Sequence, residues 1–124
     1  MEKTILVVED FETSAFVLKT TLEGQGFNII VAEDGFKALD ELNGQNIDLL
    51  ISDYHMPKMN GIELIEIIKK RKNYQKMPIF ILSTDSSFEL KNKAKKIGVT
   101  AWIKKPFKFE QLTRLINRVI YDSN

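Results

Sequence analysis

The sequence predicts an α/β fold of five strand–helix repeats, a doubly wound parallel five-stranded sheet with helices on both faces. Three observations carry that expectation. Short, continuous apolar runs recur five times, the texture of strands covered on both faces. Between them lie segments whose apolar residues recur at helical spacing. The connections are too short for a second domain, so each crossover returns its strand parallel to the previous one.

The elements follow in order. ILVV at 5–8 is the first run, and Ala15, Leu18 and Leu22 mark the helix after it. IIVA at 29–32 precedes a helix marked by Ala38, Leu39 and Leu42. IDLLIS at 47–52 is followed by Ile62, Leu64, Ile65 and Ile68. IFIL at 79–82 leads to Leu90, Ala94 and Ile97, and AWI at 101–103 to Leu112, Leu115, Ile116 and Val119. Asp34 and Asn60 are expected N-caps, because their short side chains can accept from the free N–H groups of a first turn. Ser86 with Glu89 has capping-box spacing. Gly98 stands where a helix C-terminus takes a left-handed residue.

With 124 residues the chain is expected to be a single domain over 1–124. The absence of cysteine excludes a disulfide framework, a zinc–thiolate centre and a cysteine nucleophile. It also fits a reducing compartment, so a cytoplasmic location is expected. The opening apolar run reaches Glu9 and Asp10 too soon for a signal segment or a membrane span. The net charge of +1 conceals a division: residues 1–62 hold 4 Lys/Arg against 11 Asp/Glu, a net of −7, and residues 63–124 hold 14 against 6, a net of +8. The question is whether the two halves meet at a site.

Ligands of such sheets bind beyond the carboxyl ends of the strands, where strand order reverses. Glu9 and Asp10 follow the first run, Asp53 the third, Ser83 and Thr84 the fourth, and Lys105 with Pro106 the fifth. In the order 2-1-3-4-5 the first and third strands are neighbours, and three carboxylates converge. Like charges a few ångströms apart repel by several kcal/mol even at an effective dielectric near 20. Protons, a lysine or a metal must relieve that repulsion. An oxygen-only donor set in a small open site suits Mg²⁺. Lys105 adds a cation and Ser83 a hydroxyl donor, and together they make a cradle for a phosphoryl group. Asp53, alone after the central strand, is best placed to attack and form an acyl phosphate.

VVED at 7–10, SDYHMPKMNG at 52–61, the strand-end Ser83 and KKPF at 104–107 stand in an order and spacing that resemble the receiver domain of bacterial two-component response regulators. The likeness covers essentially the whole chain and is greatest to the stand-alone, chemotaxis-type members. It implies the flavodoxin-like receiver fold, with no attached output domain. By resemblance, Asp53 is the phosphoacceptor, receiving the group from a sensor histidine kinase or a phosphotransfer protein. Asp10 and Asp53 ligate Mg²⁺ directly, Glu9 acts mainly through a water, and the His55 carbonyl completes the protein ligands. Lys105 binds the phosphoryl group, and its peptide to Pro106 is expected to be cis. Ser83, 22 positions before Lys105, takes the switch hydroxyl's role, and Trp102, three before Lys105, takes the switch aromatic's. Thr84 stands where the family usually has a smaller residue, and Trp102 replaces the usual Tyr or Phe. The resemblance implies a phosphoacceptor signalling protein that catalyses only its own phosphorylation and dephosphorylation. Its output is expected through the face of the fourth helix, fifth strand and fifth helix.

That face carries Lys91, Lys93, Lys95, Lys96, Lys104 and Lys108. No recognition helix or aromatic ladder accompanies them, so a solvated face or an acidic protein partner is expected in preference to nucleic acid. KKRK at 69–72 is expected to close the third helix, where cations favour the dipole. The alternatives are a flavodoxin-like small-ligand carrier, which needs a Ser/Thr/Gly-rich loop where EDFETS stands, and a nucleic-acid-binding accessory module using the basic half.

Overall fold

The computed structural model describes residues 2–121. Five strands, β1 (Thr4–Val8), β2 (Asn28–Ala32), β3 (Leu49–Asp53), β4 (Ile79–Ser83) and β5 (Ala101–Lys104), alternate with five helices. These are α1 (Glu12–Glu23), α2 (Gly35–Glu41), α3 (Gly61–Ile68), α4 (Phe88–Ile97) and α5 (Phe109–Tyr121), and a 3₁₀ turn occupies Lys72–Tyr74. The sheet order is β2-β1-β3-β4-β5, and all four pairings are parallel.

Alternation along the strands separates two cores. Leu6, Val8, Leu50, Ile79 and Ile81 face α2, α3 and α4, where Ala38, Ile65, Ile68 and Ala94 pack. Ile5, Val7, Ile51, Phe80 and Leu82 face α1 and α5, meeting Leu18, Leu22, Leu112 and Ile116. The two central strands are buried throughout, and the edge strands β2 and β5 are partly open. Burying one such Leu or Ile side chain contributes about 1.5–3 kcal/mol, so this two-sided burial is what fixes the layer order.

The caps bear out most of the local expectations. Asp34 accepts from Lys37 N–H at 2.8 Å. Asn60 and Glu63 form a reciprocal capping box, with both bonds at 2.9 Å. Gly98 ends α4 at φ 99°, a left-handed conformation that a side chain would strain. Ser86 does not cap α4. Ser87 does, accepting from Leu90 N–H, and the turn in which Asp85 Oδ1 accepts from Ser87 N–H leaves Ser86 one residue short of the cap position. The third strand begins at Leu49 and ends on Asp53, two residues later than the apolar run at 47, and the fourth ends on Ser83.

KKRK does not close α3 as a group. The helix ends at Ile68 with Lys69 at its C-cap, and Arg71 reaches a different helix. Its Nη1 donates to the carbonyls of Leu39 and Leu42 at 2.7 and 2.9 Å, satisfying the C-terminal end of α2. Lys69 Nζ donates to the Gln75 carbonyl at 3.0 Å, and burial lowers the ammonium's pKa. Tyr74 completes the clamp: its hydroxyl accepts from Gly44 N–H at 2.9 Å and donates to the Gln45 carbonyl at 2.7 Å. The segment after α3 therefore pins the connection between α2 and β3.

Tyr74→Phe removes both loop bonds and leaves the buried ring in place. The expected loss of unfolding free energy is about 1–2 kcal/mol, read as a lower urea midpoint at unchanged m-value. An unchanged midpoint would show that the clamp carries no stability.

Candidate functional site

Parallel register brings the predicted polar residues to one rim. Val8 pairs with Ser52, so Glu9 and Asp53 stand at neighbouring strand ends. Asp53 pairs with Leu82 and Ser83 with Lys104, which places Ser83 and Lys105 on the other side of Asp53. Ladder bonds continue past the strands and aim these residues. Glu9 N–H donates to Ala32 O at 3.0 Å, Tyr54 N–H to Leu82 O at 2.9 Å and Lys105 N–H to Ser83 O at 2.8 Å. The Lys105–Pro106 peptide is cis, as the resemblance implied.

The loop after β3 returns tightly against its own strand. Gly61 N–H donates to the Tyr54 carbonyl at 2.8 Å, and a Cβ at Gly61 would lie 2.8 Å from the Asp53 carbonyl oxygen. Only glycine lets α3 begin that close to the acceptor strand. Lys58, in the same loop, is left-handed at φ 71° and pairs with Asp34 at 3.7 Å.

The carboxylates of Glu9, Asp10 and Asp53 converge, with ligand oxygens within 4.8 Å of one another. Glu9 and Asp53 are buried and Asp10 is exposed. Lys105 Nζ lies 2.6 Å from Asp53 Oδ1 and 3.8 Å from Glu9 Oε1. The closer contact sets the ammonium against a buried Asp53 oxygen. One ammonium thus faces three acids, too little positive charge to neutralise the cluster.

The strain shows in Glu9. Burial first, then the hydrogen bond and charge it shares with Asp53, push its carboxyl from 4.5 up to about 8, against the opposing pull of Phe11 N–H and Lys105. Glu9 Oε2 accepts from Phe11 N–H at 3.2 Å. A hard divalent cation fits this oxygen-only donor set, because it would offset the charge that keeps a proton on Glu9.

The remaining candidates sit around this centre. His55 is exposed, its ring edge-on to Tyr54 at a centroid distance of 4.7 Å, and it lines a shallow depression with Asp10 and Asn60. Its imidazole is not one of the converging metal-ligand groups. Ser83 is buried, and its hydroxyl accepts from Asp85 N–H at 3.0 Å. Thr84 is exposed at the mouth of a groove it shares with Lys105. Trp102 is half-buried, 5.7 Å from the Tyr54 ring, and its indole N–H donates to the Asp85 carbonyl at 2.9 Å. Asp85 and Tyr54 escaped the sequence reading. The only signal for Asp85 was an Asp two residues before a serine, the pattern of a side chain that closes its own turn.

Comparison with known proteins agrees with this architecture. The sequence matches the response regulator receiver domain family over residues 5–117. It is 35% identical over 118 residues to a chemotaxis protein CheY homolog of Campylobacter jejuni, covering 94% of this chain and 91% of that one. Vibrio cholerae chemotaxis protein CheY4 superposes with a TM-score of 0.91 at 33% identity, covering 96% of this chain and 99% of that one. The receiver domain of a Pseudomonas aeruginosa sensor histidine kinase, which has a magnesium ion coordinated in its active-site cleft, superposes at 0.88 with 25% identity, covering 97% and 98% of the two chains.

The raised Glu9 pKa has a definite sign for stability. The folded state holds this proton more tightly than the unfolded chain, so the stabilisation is complete below about 4.5 and is lost as pH rises through about 8. Metal-free protein is expected to lose several degrees of Tm, on the order of 5 °C, across that window, and Glu9→Gln should remove most of the loss. Equal pH profiles for the two proteins in thermal unfolding would refute the assignment.

Proposed function

The chain belongs to the response regulator receiver domain family of two-component signalling, and from that premise we propose that it is a phosphoacceptor whose acceptor is Asp53. The observation that carries the reading is Asp53 itself: a buried carboxylate at the end of the central strand, with one oxygen 2.6 Å from the Lys105 ammonium and the acids Glu9 and Asp10 beside it. In the reaction a carboxylate oxygen of Asp53 attacks phosphorus, the P–N bond of a donor phosphohistidine breaks, and an acyl phosphate forms as the imidazole leaves. The donor is a sensor histidine kinase or a phosphotransfer protein. The protein catalyses only this transfer and the later hydrolysis, in which water takes the phosphoryl group as inorganic phosphate and frees the Asp53 carboxylate.

Each site residue then has one task. Asp10, Asp53 and the His55 carbonyl would hold Mg²⁺, with Glu9 acting mainly through a water, and the ion would supply positive charge for the phosphoryl oxygens. Lys105 approaches from the opposite side and keeps its ammonium beside the oxygen that reacts. Ser83 offers a hydroxyl to the transferred group. Gly61 and the ladder bond at Tyr54 hold the Asp53 backbone against motion. An apolar groove lined by Val17, Leu18, Pro106 and Phe107 opens beside Lys105 and gives the donor protein a surface next to the acceptor.

The output leaves through the face of α4, β5 and α5. Lys91, Lys93, Lys95, Lys96, Lys104 and Lys108 are exposed there, and Phe88, 80% exposed, stands beside a depression floored by Trp102. A protein partner with acidic residues around an apolar anchor matches that surface. No helix among the described residues is long and apolar enough to cross a membrane, consistent with a partner met in the cytoplasm.

With Mg²⁺ and a small phosphodonor, the protein is expected to take up one phosphoryl group, and Asp53→Asn none. Lys105→Ala should slow uptake by on the order of 10²-fold or more, the scale of losing one charge-stabilising donor. Intact-mass measurement reads all three. Undiminished uptake by Asp53→Asn would defeat the reading. A divalent requirement is expected as well, so uptake that persists in excess chelator would remove Mg²⁺ from it.

A further inference from the structure

The chain contains two Asn–Gly pairs, Asn43–Gly44 in the connection between α2 and β3 and Asn60–Gly61 at the start of α3. Asparagine before glycine is a labile pair: the glycine nitrogen attacks the carboxamide carbon, and no side chain on the second residue hinders its approach. The fold treats the two pairs differently. Asn60 is held twice, since its Oδ1 accepts from Glu63 N–H at 2.9 Å while Gly61 N–H donates to the Tyr54 carbonyl at 2.8 Å, and Gly61 is buried. Asn43 and Gly44 are both exposed, and a Cβ at Gly44 would have nothing within 4 Å.

Two contacts set the chemistry at Asn43. Its Oδ1 accepts from Gln45 N–H at 3.3 Å, which draws the carboxamide across the Gly44 peptide and polarises its carbonyl toward attack. The attacking nitrogen is restrained from another direction, because Gly44 N–H donates to the Tyr74 hydroxyl at 2.9 Å. Tyr74 is buried, and its own hydroxyl proton goes to the Gln45 carbonyl at 2.7 Å, so the oxygen stays aimed at Gly44.

We propose that Asn43 is a site of spontaneous covalent modification, converting to aspartate and isoaspartate through a succinimide closed on Gly44, and that the Tyr74 hydroxyl sets the rate. The Gly44 nitrogen gives its proton to a solvent base and bonds to Asn43 Cγ; the carboxamide C–N bond breaks, and its nitrogen takes up a proton and leaves as ammonia. Water then opens the imide at either carbonyl, giving aspartate or the isomer whose main chain runs through the former side chain. A neutral phenol is too weak a base to take the first proton. Tyr74 therefore acts as a restraint, and ring closure needs its bond to Gly44 open. Removing one hydrogen bond of ordinary worth raises the open fraction roughly three- to tenfold. Each conversion adds a negative charge to the connection that feeds β3, and the isoaspartyl product lengthens the main chain inside the loop that Tyr74 clamps.

Peptide mass spectrometry of protein incubated at mildly alkaline pH follows both asparagines at once, and chain unfolded in urea gives their unrestrained rates. In the folded wild-type protein Asn43 is expected to convert and Asn60 to lag behind it. In Tyr74→Phe the Asn43 rate should rise roughly three- to tenfold, with Asn60 unchanged. The variant is less stable, and Asn60 serves as the gauge of global unfolding, which opens both pairs alike. Asn43 that stays intact in the folded protein while the unfolded chain converts it, or that converts no faster than Asn60, would overturn the site. Equal Asn43 rates in the two proteins, or the same acceleration at Asn60, would overturn the role of Tyr74.

Discussion

Glu9, Asp10 and Asp53, held within 4.8 Å of one another opposite one lysine, form the interaction to which the rest of the fold answers. Carboxylates this close gain nothing for stability. Their repulsion has to be offset by a proton on Glu9, by the Lys105 ammonium or by a bound cation. The surrounding chain supplies the stability that this cluster withdraws. Both central strands are buried along their whole length, and two separate cores pack against the sheet. A sheet clamped on both faces can carry repelling charges at its rim without opening.

The rim is assembled by register more than by any loop. Parallel pairing of Val8 with Ser52 and of Ser83 with Lys104 sets Glu9, Asp53, Ser83 and Lys105 at successive strand ends. No two of these strands need to be adjacent in sequence, because helices on alternate faces return the chain each time to the same edge. Gly61 adds the one constraint that register cannot, letting α3 start against the Asp53 carbonyl. Side chains on three strands and a glycine on a fourth segment therefore act on a single carboxylate.

Much of this was legible in the sequence, for a physical reason. Continuous apolar runs report burial on both faces, and the caps at Asp34 and Asn60 and the turn at Gly98 depend on neighbours within four residues. What local reading missed is held by partners far along the chain. Arg71 serves the carbonyls of α2, some 30 residues away, as Tyr74 does the Gly44 loop. The cap of α4 passed from Ser86 to Ser87 because Asp85 makes its own turn first. The convergence of acids could be inferred from strand order, but the proton on Glu9 could not. It depends on how deeply that side chain is buried, and on the hydrogen bond and charge it shares with Asp53.

The division of charge along the chain has the same origin as the site. Residues 1–62 carry a net of −7 and include β1, β2 and β3, whereas residues 63–124 carry +8 and include β4 and β5. The order β2-β1-β3-β4-β5 maps that division onto space, with the acidic strands on one side of the sheet and the basic half on the other. The boundary runs between β3 and β4, where Asp53 pairs with Leu82, the residue before Ser83. Lys105 is the cation of the basic half that reaches back across it, 2.6 Å from the acid that closes the acidic half. Every other lysine of β5 and α4 points to solvent, so negative charge added at Asp53 would be met at the seam by one ammonium. Beyond it, the added charge would be felt by a surface already positive. A near-neutral chain can in this way hold an acidic cluster and a cationic face a few strands apart, because the sheet keeps the two charges from cancelling.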